Sequence, residues 1–252
     1  MSEPIPDLEL IQYGGLTRGA TMSSPCGKVQ MALHFKGLPF RVRNVGSPRQ
    51  ARVFNPRGRV PALRIGSEIV VDSTDILDAL EARFPQPALD PKDPHARALA
   101  RLWEDWADEC LYFYGLWARF GVPENFDRVA RLIFRRMPAP LRPLGKFFLR
   151  RTMRARLHGQ GVGDKEPEAI WREMATALDL PEECLAHGSF LAGGAISRAD
   201  LAVCALLDQA DVEEMAPQPA KLVRARPRIQ AWRAAVHARC GNAARGGCGA
   251  NP

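Results

Sequence analysis

Along the first third of the chain the apolar positions change period several times, and each change marks an element. Leu8-Glu9-Leu10-Ile11-Gln12-Tyr13 alternates well enough for a first strand, and a loop with three glycines follows from Gly14 to Met22. From Pro25 to Lys36 the apolar residues Val29, Ala32, Leu33 and Phe35 fall near helical spacing, with Ser23 or Ser24 as N-cap and Gly37 as stop. Phe40 to Val45 returns to a strand, and Ala62–Ile65 with Ile69–Val71 reads as a hairpin around Gly66-Ser67-Glu68. Ser73 to Phe84 is a helix, ended by Pro85 and Pro87. The predicted order is β-α-β followed by a proline-led β-β-α, a small α/β domain over residues 7–86.

A linker rich in proline, Pro85 to Pro94, marks the boundary, and everything beyond it reads helical. Helices are predicted over 95–120, 127–136, 144–158, 166–186, 198–214 and 228–239, an all-α domain spanning 95–240. Residues 241–252, rich in glycine, are expected to form a flexible tail. Ser197 and Asp200 have the spacing of a capping box, and Ile196 and Leu201 can close a hydrophobic staple around it. Such a box serves folding, so neither residue is read as catalytic.

Composition narrows the class. The chain has 252 residues, 46% of them hydrophobic, with no apolar run of the roughly 18 residues that a bilayer-spanning helix needs. Its first residues carry acid rather than the basic and apolar regions of a signal peptide, so a soluble cytoplasmic protein is expected. Six cysteines show no Cys-x-x-Cys pair and no histidine at metal-ligand spacing, which favours reduced thiols and no metal. The net charge is +7, and the segment Arg128 to Arg156 holds ten basic side chains and no acid. That stretch can attract acidic partners, anionic substrates or a membrane surface; the plainer reading is a solvated helix face paired with acids elsewhere. Nucleic acid is disfavoured, because no recognition motif accompanies the charge.

One segment carries candidate chemistry. In Asn55-Pro56-Arg57-Gly58-Arg59-Val60-Pro61-Ala62-Leu63 a hydrophobic residue precedes a proline between a glycine turn and a strand, where a cis X-Pro bond can sit. A cis Pro61 would leave the N–H and C=O of Val60 pointing outward, able to pair with an extended peptide. Further on, Asp72-Ser73 reads as a helix N-terminus, which favours a carboxylate.

The pattern Asn-Pro-x-Gly-x-Val-Pro-x-Leu followed by Asp-Ser-x-x-Ile-Leu resembles the thioredoxin-like N-terminal domain of glutathione transferases. The resemblance extends over most of the chain. It implies an α/β thioredoxin-like domain followed by an all-α helical bundle, glutathione as co-substrate, and a homodimer. Glutathione contacts then fall on Arg59, Val60, Pro61, Asp72 and Ser73. The Ser/Thr-x-x-Asp box of the family's helical domain is matched by Ser197 and Asp200. Arg154 to Gly163 and Glu168-Ala-Ile170 look like the bacterial branch related to metaxin, in which this fold often serves binding or assembly.

Ser23-Ser24-Pro25-Cys26-Gly27-Lys28 is similar to the Ser-Ser-Cys-Ser-x-Arg loop of zeta-type transferases, so Ser23 falls on the catalytic serine. A hydroxyl at a helix N-terminus can donate to a thiolate, and the helix dipole lowers a thiol pKa; Ser23 or Ser24 can equally be only a cap. Cys26, in the first helical turn, is a second candidate, as a residue of redox type or as a core side chain. Tyr13 is a third, since tyrosine serves in other transferase classes. Two readings follow: activation of the glutathione thiol for conjugation or isomerisation of a small hydrophobic electrophile, or a non-catalytic module docking an acidic protein or membrane through its basic segment.

Overall fold

The structure, a computed structural model, describes residues 6–15, 20–135 and 137–240. The expected flexible tail, with Cys248, lies outside the described residues.

The N-terminal elements are β1 (Leu8–Tyr13), α1 (Ser24–Phe35), β2 (Arg41–Val45), α2 (Pro48–Ala51), β3 (Ala62–Ile65), β4 (Glu68–Val71) and α3 (Ser73–Arg83). They form a four-stranded sheet in the order β2-β1-β3-β4. β1 runs parallel to β2 and antiparallel to β3, and β3 runs antiparallel to β4. This is the thioredoxin-like arrangement that the element order predicts. Leu8, Leu10, Ile11, Val29, Leu33 and Leu63 are all buried. The central strand β1 is buried along nearly its whole length, and its two polar residues are partnered there, Glu9 with Arg43 and Gln12 with Gln30.

The helices that follow are α4 (Pro94–Trp106), α5 (Tyr112–Phe120), α6 (Pro123–Ile133), α7 (Arg142–Gln160), α8 (Pro167–Cys184), α9 (Arg198–Ala210), α10 (Pro217–Arg224) and α11 (Pro227–Cys240). The single helix expected over 95–120 is divided by a π-helical turn at Ala107–Leu111, where an extra residue enters one turn. The short α2 and α10 are absent from the sequence reading, and α6 begins four residues early. All three start on a proline, Pro48, Pro217 or Pro123. A proline at the first helical position loses no hydrogen bond, although by sequence it reads as a breaker.

Contacts divide the described residues into two compact units, one drawn from 6–104, 188–206 and 231–240, the other from 105–187 and 207–230. In the first, the Asp200 carboxylate accepts from the Ser197 N–H and hydroxyl (2.8 and 3.0 Å), from the Leu191 N–H (3.0 Å) and from Trp232 Nε1 (2.9 Å). The capping carboxylate thus also anchors the preceding loop and α11. In the second unit, Leu116, Trp117, Leu157, Val162 and Ile170 form a core. Among the described residues no helix is long and apolar enough to cross a membrane.

Candidate functional site

Register brings the sequence-predicted residues to one edge of the sheet. Ala62 pairs with Ile11 on one side and Val71 on the other. One step beyond those pairs, Pro61, Gln12 and Asp72 therefore lie at the same level, where β1 ends, β4 ends and β3 begins. Both α1 and α3 start from that edge, since each follows a strand running towards it.

The Val60–Pro61 peptide is cis. Among the described residues the Val60 N–H and C=O take part in no hydrogen bond. Asn55, buried, shapes the approach: its amide donates to the Arg59 carbonyl (3.1 Å) and its oxygen accepts from the Arg57 N–H (3.0 Å). Gly58 has φ +66°, and a β-carbon there would stand 3.0 Å from the Pro48 carbonyl oxygen, so the turn requires glycine. Arg59 is exposed beside it.

At the head of α3, Asp72 is the N-cap, with φ +79°, and its side chain accepts from the Thr74 N–H at 3.0 Å. This left-handed backbone is uncommon for a residue with a β-carbon. Ser73 is the first helical residue and is buried. The free N–H groups of this first turn and the helix dipole suit an anion.

At the head of α1, Ser23 is the N-cap residue, but its side chain makes no capping bond. Its N–H instead donates to Thr21 Oγ1 (3.1 Å), which in turn donates to the Tyr13 carbonyl (2.7 Å), tying residues 21–23 to the end of β1. Ser24 Oγ is buried without a hydrogen-bond partner among the described residues. Cys26 is fully buried. Burial pushes its thiol up to about 12 against smaller opposing effects of hydrogen bonds from Ser23, the Tyr13 backbone and Thr21. Burial, and secondarily Cys26, also raises the Tyr13 phenol. Both are therefore neutral near pH 7, and Cys26 lies wholly within the core.

Family comparisons match this arrangement. The glutathione S-transferase N-terminal domain model matches residues 19–88, and the C-terminal domain model matches 137–239. The chain belongs to the glutathione transferase superfamily. It is similar to a maleylacetoacetate isomerase of Pseudomonas aeruginosa, 41% identical over 83 residues, covering 29% of this chain and 39% of that protein. Protein LigF of a Sphingobium species is 31% identical over 158 residues, covering 58% of this chain and 57% of that protein. The chain thus matches less than two thirds of the length of these relatives. Among solved structures, the theta class transferase of Xanthomonas axonopodis pv. citri with glutathione bound has a TM-score of 0.60 at 21% identity, covering 97% of this chain and 99% of that one. At that identity the likeness speaks for the fold.

Glutathione is the co-substrate of this superfamily. The transferase fold also encloses a group of residues that the motifs do not reveal. Lys28 of α1 and Glu104 of α4, both about 1% exposed, form an ion pair at 2.7 Å. Thr74 of α3 links to both, accepting from Lys28 Nζ (3.2 Å) and donating to Glu104 Oε1 (3.1 Å). Arg198, fully buried, reaches the other Glu104 oxygen (3.0 Å), Asp78 (2.9 Å) and both oxygens of Asp90. Burial raises the Glu104 carboxyl, but Lys28 and Arg198 together outweigh it and hold the group below its usual range. The network therefore ties the second turn of α1 to the first turn of α3. Its only sequence signal was a lysine and a glutamate at inward-facing helical positions 76 residues apart, which no local pattern joins.

Proposed function

We propose that this protein binds glutathione along the edge where β1 and β4 end, and activates its thiol for conjugation or isomerisation of a small hydrophobic electrophile. The observation that carries this reading is the convergence of three features on that edge: the unengaged Val60 peptide group, the α3 N-terminus with Asp72 and Ser73, and the α1 N-terminus with Ser23. In this reading Val60 pairs with the extended peptide backbone, and Arg59 and the head of α3 hold a carboxylate. Glutathione, once bound, supplies the thiolate nucleophile. Ser23 donates its hydroxyl to that sulfur, and the α1 dipole adds to the stabilisation. Cys26 is left a positioning and packing residue, its neutral thiol beneath Ser23.

The same reading makes the protein a homodimer of the cytoplasm, engaged in detoxification; the five described cysteines form no disulfide with one another, as in a reducing compartment. Calorimetric titration with glutathione tests it. Saturable binding between micromolar and low millimolar, roughly −8 to −4 kcal/mol, is expected. Absence of heat and of competition at ten times that concentration overturns it.

A further inference from the structure

The basic segment between α6 and the end of α7 plays no part in the reading above. On α7 one stripe is accounted for: Leu157, buried, and Met153 pack into the core of the second unit. The opposite stripe is apolar as well. Leu144, Phe147 and Phe148 are 55, 61 and 57% exposed, and Leu141, just before the helix, is 51% exposed. Leu141, Leu144 and Phe148 recur at helical spacing on this outer face, and Arg151 and Arg154, both exposed, continue it towards the C-terminus.

The charge is not neutralised within the fold. Among the described basic residues of 128–156, only Lys146 meets a carboxylate, Asp127 at 3.1 Å. Arg150 lies over the Phe126 ring at 4.4 Å and Arg156 over the Tyr112 ring at 5.0 Å, while Arg142 donates to backbone carbonyls. These contacts hold the guanidinium groups without cancelling their charge. Among the described residues, acids elsewhere thus pair with this segment at Lys146 alone.

A helix with exposed Phe and Leu between unneutralised arginines has the make-up of an interfacial helix, which needs both apolar insertion and attraction to anionic headgroups. A second copy of the chain would set the same cationic face against itself, at a cost in repulsion. We propose that the outer face of α7 docks on an anionic lipid bilayer, with Phe147 and Phe148 entering the headgroup boundary and Arg151 and Arg154 meeting lipid phosphates and carboxylates. α7 lies on that surface rather than spanning it, since six of its 19 residues are Lys or Arg.

Vesicle flotation tests the proposal with the full chain. Binding is expected to phosphatidylcholine vesicles containing about 30 mol % phosphatidylserine and not to pure phosphatidylcholine, and to weaken as salt rises towards about 0.5 M. Phe147→Ser with Phe148→Ser, and separately Arg151→Glu with Arg154→Glu, should each lower the partition coefficient at least about tenfold. Circular dichroism and glutathione titration of both variants check that the fold persists; the lipid and salt series stand without either variant. Equal binding to neutral vesicles, or none to anionic ones, overturns the proposal. So does dissociation of a dimer by the phenylalanine variant in sedimentation velocity, which assigns the face to a second copy. Tight binding of soluble polyglutamate that survives the phenylalanine changes assigns it to an acidic protein instead.

Discussion

At the head of α1, Ser23 is half-buried and Cys26 fully so, and this difference in solvent access separates two side chains within hydrogen-bond reach of each other. Ser23→Ala should leave glutathione binding nearly intact and raise the pKa of the bound thiol by about 1 to 2 pH units, because the lost hydrogen bond goes to the ionised form. Cys26→Ala should leave that pKa in place and destabilise the fold by about 1 to 2 kcal/mol, the effect of a small cavity. Thiolate absorbance in the ultraviolet against pH distinguishes them, and a shift with Cys26→Ala alone reverses the assignment. At the head of α3 the contrast lies between neighbours. Ser73→Ala should weaken glutathione binding by about 1 to 3 kcal/mol, the worth of a charge-assisted hydrogen bond. Thr74→Ala should act mainly on stability, because its hydroxyl is already shared between Lys28 and Glu104. Equal losses of affinity in a calorimeter would mean that the carboxylate is held elsewhere.

Between elements, the Lys28–Glu104–Arg198 group holds α1, α3, α4 and α9 in register. Glu104→Gln should cost about 3 to 5 kcal/mol at pH 7, since it leaves buried cations short of a partner. The sign of its pH dependence follows from the direction of the shift. The folded carboxyl lies below the ordinary glutamate value of 4.5, so its contribution is present above that value and is lost as pH falls through the folded one. Urea unfolding of the Glu104→Gln variant should accordingly vary less with acid than that of the parent, and curves that stay parallel down to about pH 3 would exclude Glu104 as a source of the dependence. The elements themselves were largely legible. Gly37, Asp72 and the Ser197–Asp200 box mark helix ends through local backbone chemistry and stand where that chemistry puts them, while Ser23 takes the N-cap position without the capping bond. The short helices that begin on Pro48 and Pro217 were hidden, because proline's tolerance at a first turn depends on where the turn begins.

For the molecule as a whole, a ligand that binds only the folded chain raises its stability by mass action. Glutathione at about 100 times its dissociation constant should add about 2.7 kcal/mol and raise the melting temperature by about 5 to 10 °C for a chain of this size. Scanning fluorimetry at several glutathione concentrations measures it, and a melting temperature that does not move contradicts the proposed site. The Ser73→Ala variant should need more ligand for the same rise.

The sequence by itself determined the order of the four strands and of most of the helices, the proline-led turn at Val60–Pro61 and the helix head at Asp72-Ser73, because periodicity, caps and turn residues act over a few positions. It also showed the excess of basic residues in 128–156, which is a matter of counting. Tertiary structure decided what depends on distant residues meeting. It set Pro61 and Asp72 side by side through the pairing of Ala62 with Val71, and it buried Lys28 against Glu104 and Arg198. It made Cys26 a neutral core thiol and left Phe147, Phe148 and their neighbouring arginines facing outward. Burial and ion pairing are set by what surrounds a side chain, and for these residues the surroundings come from segments tens of positions away.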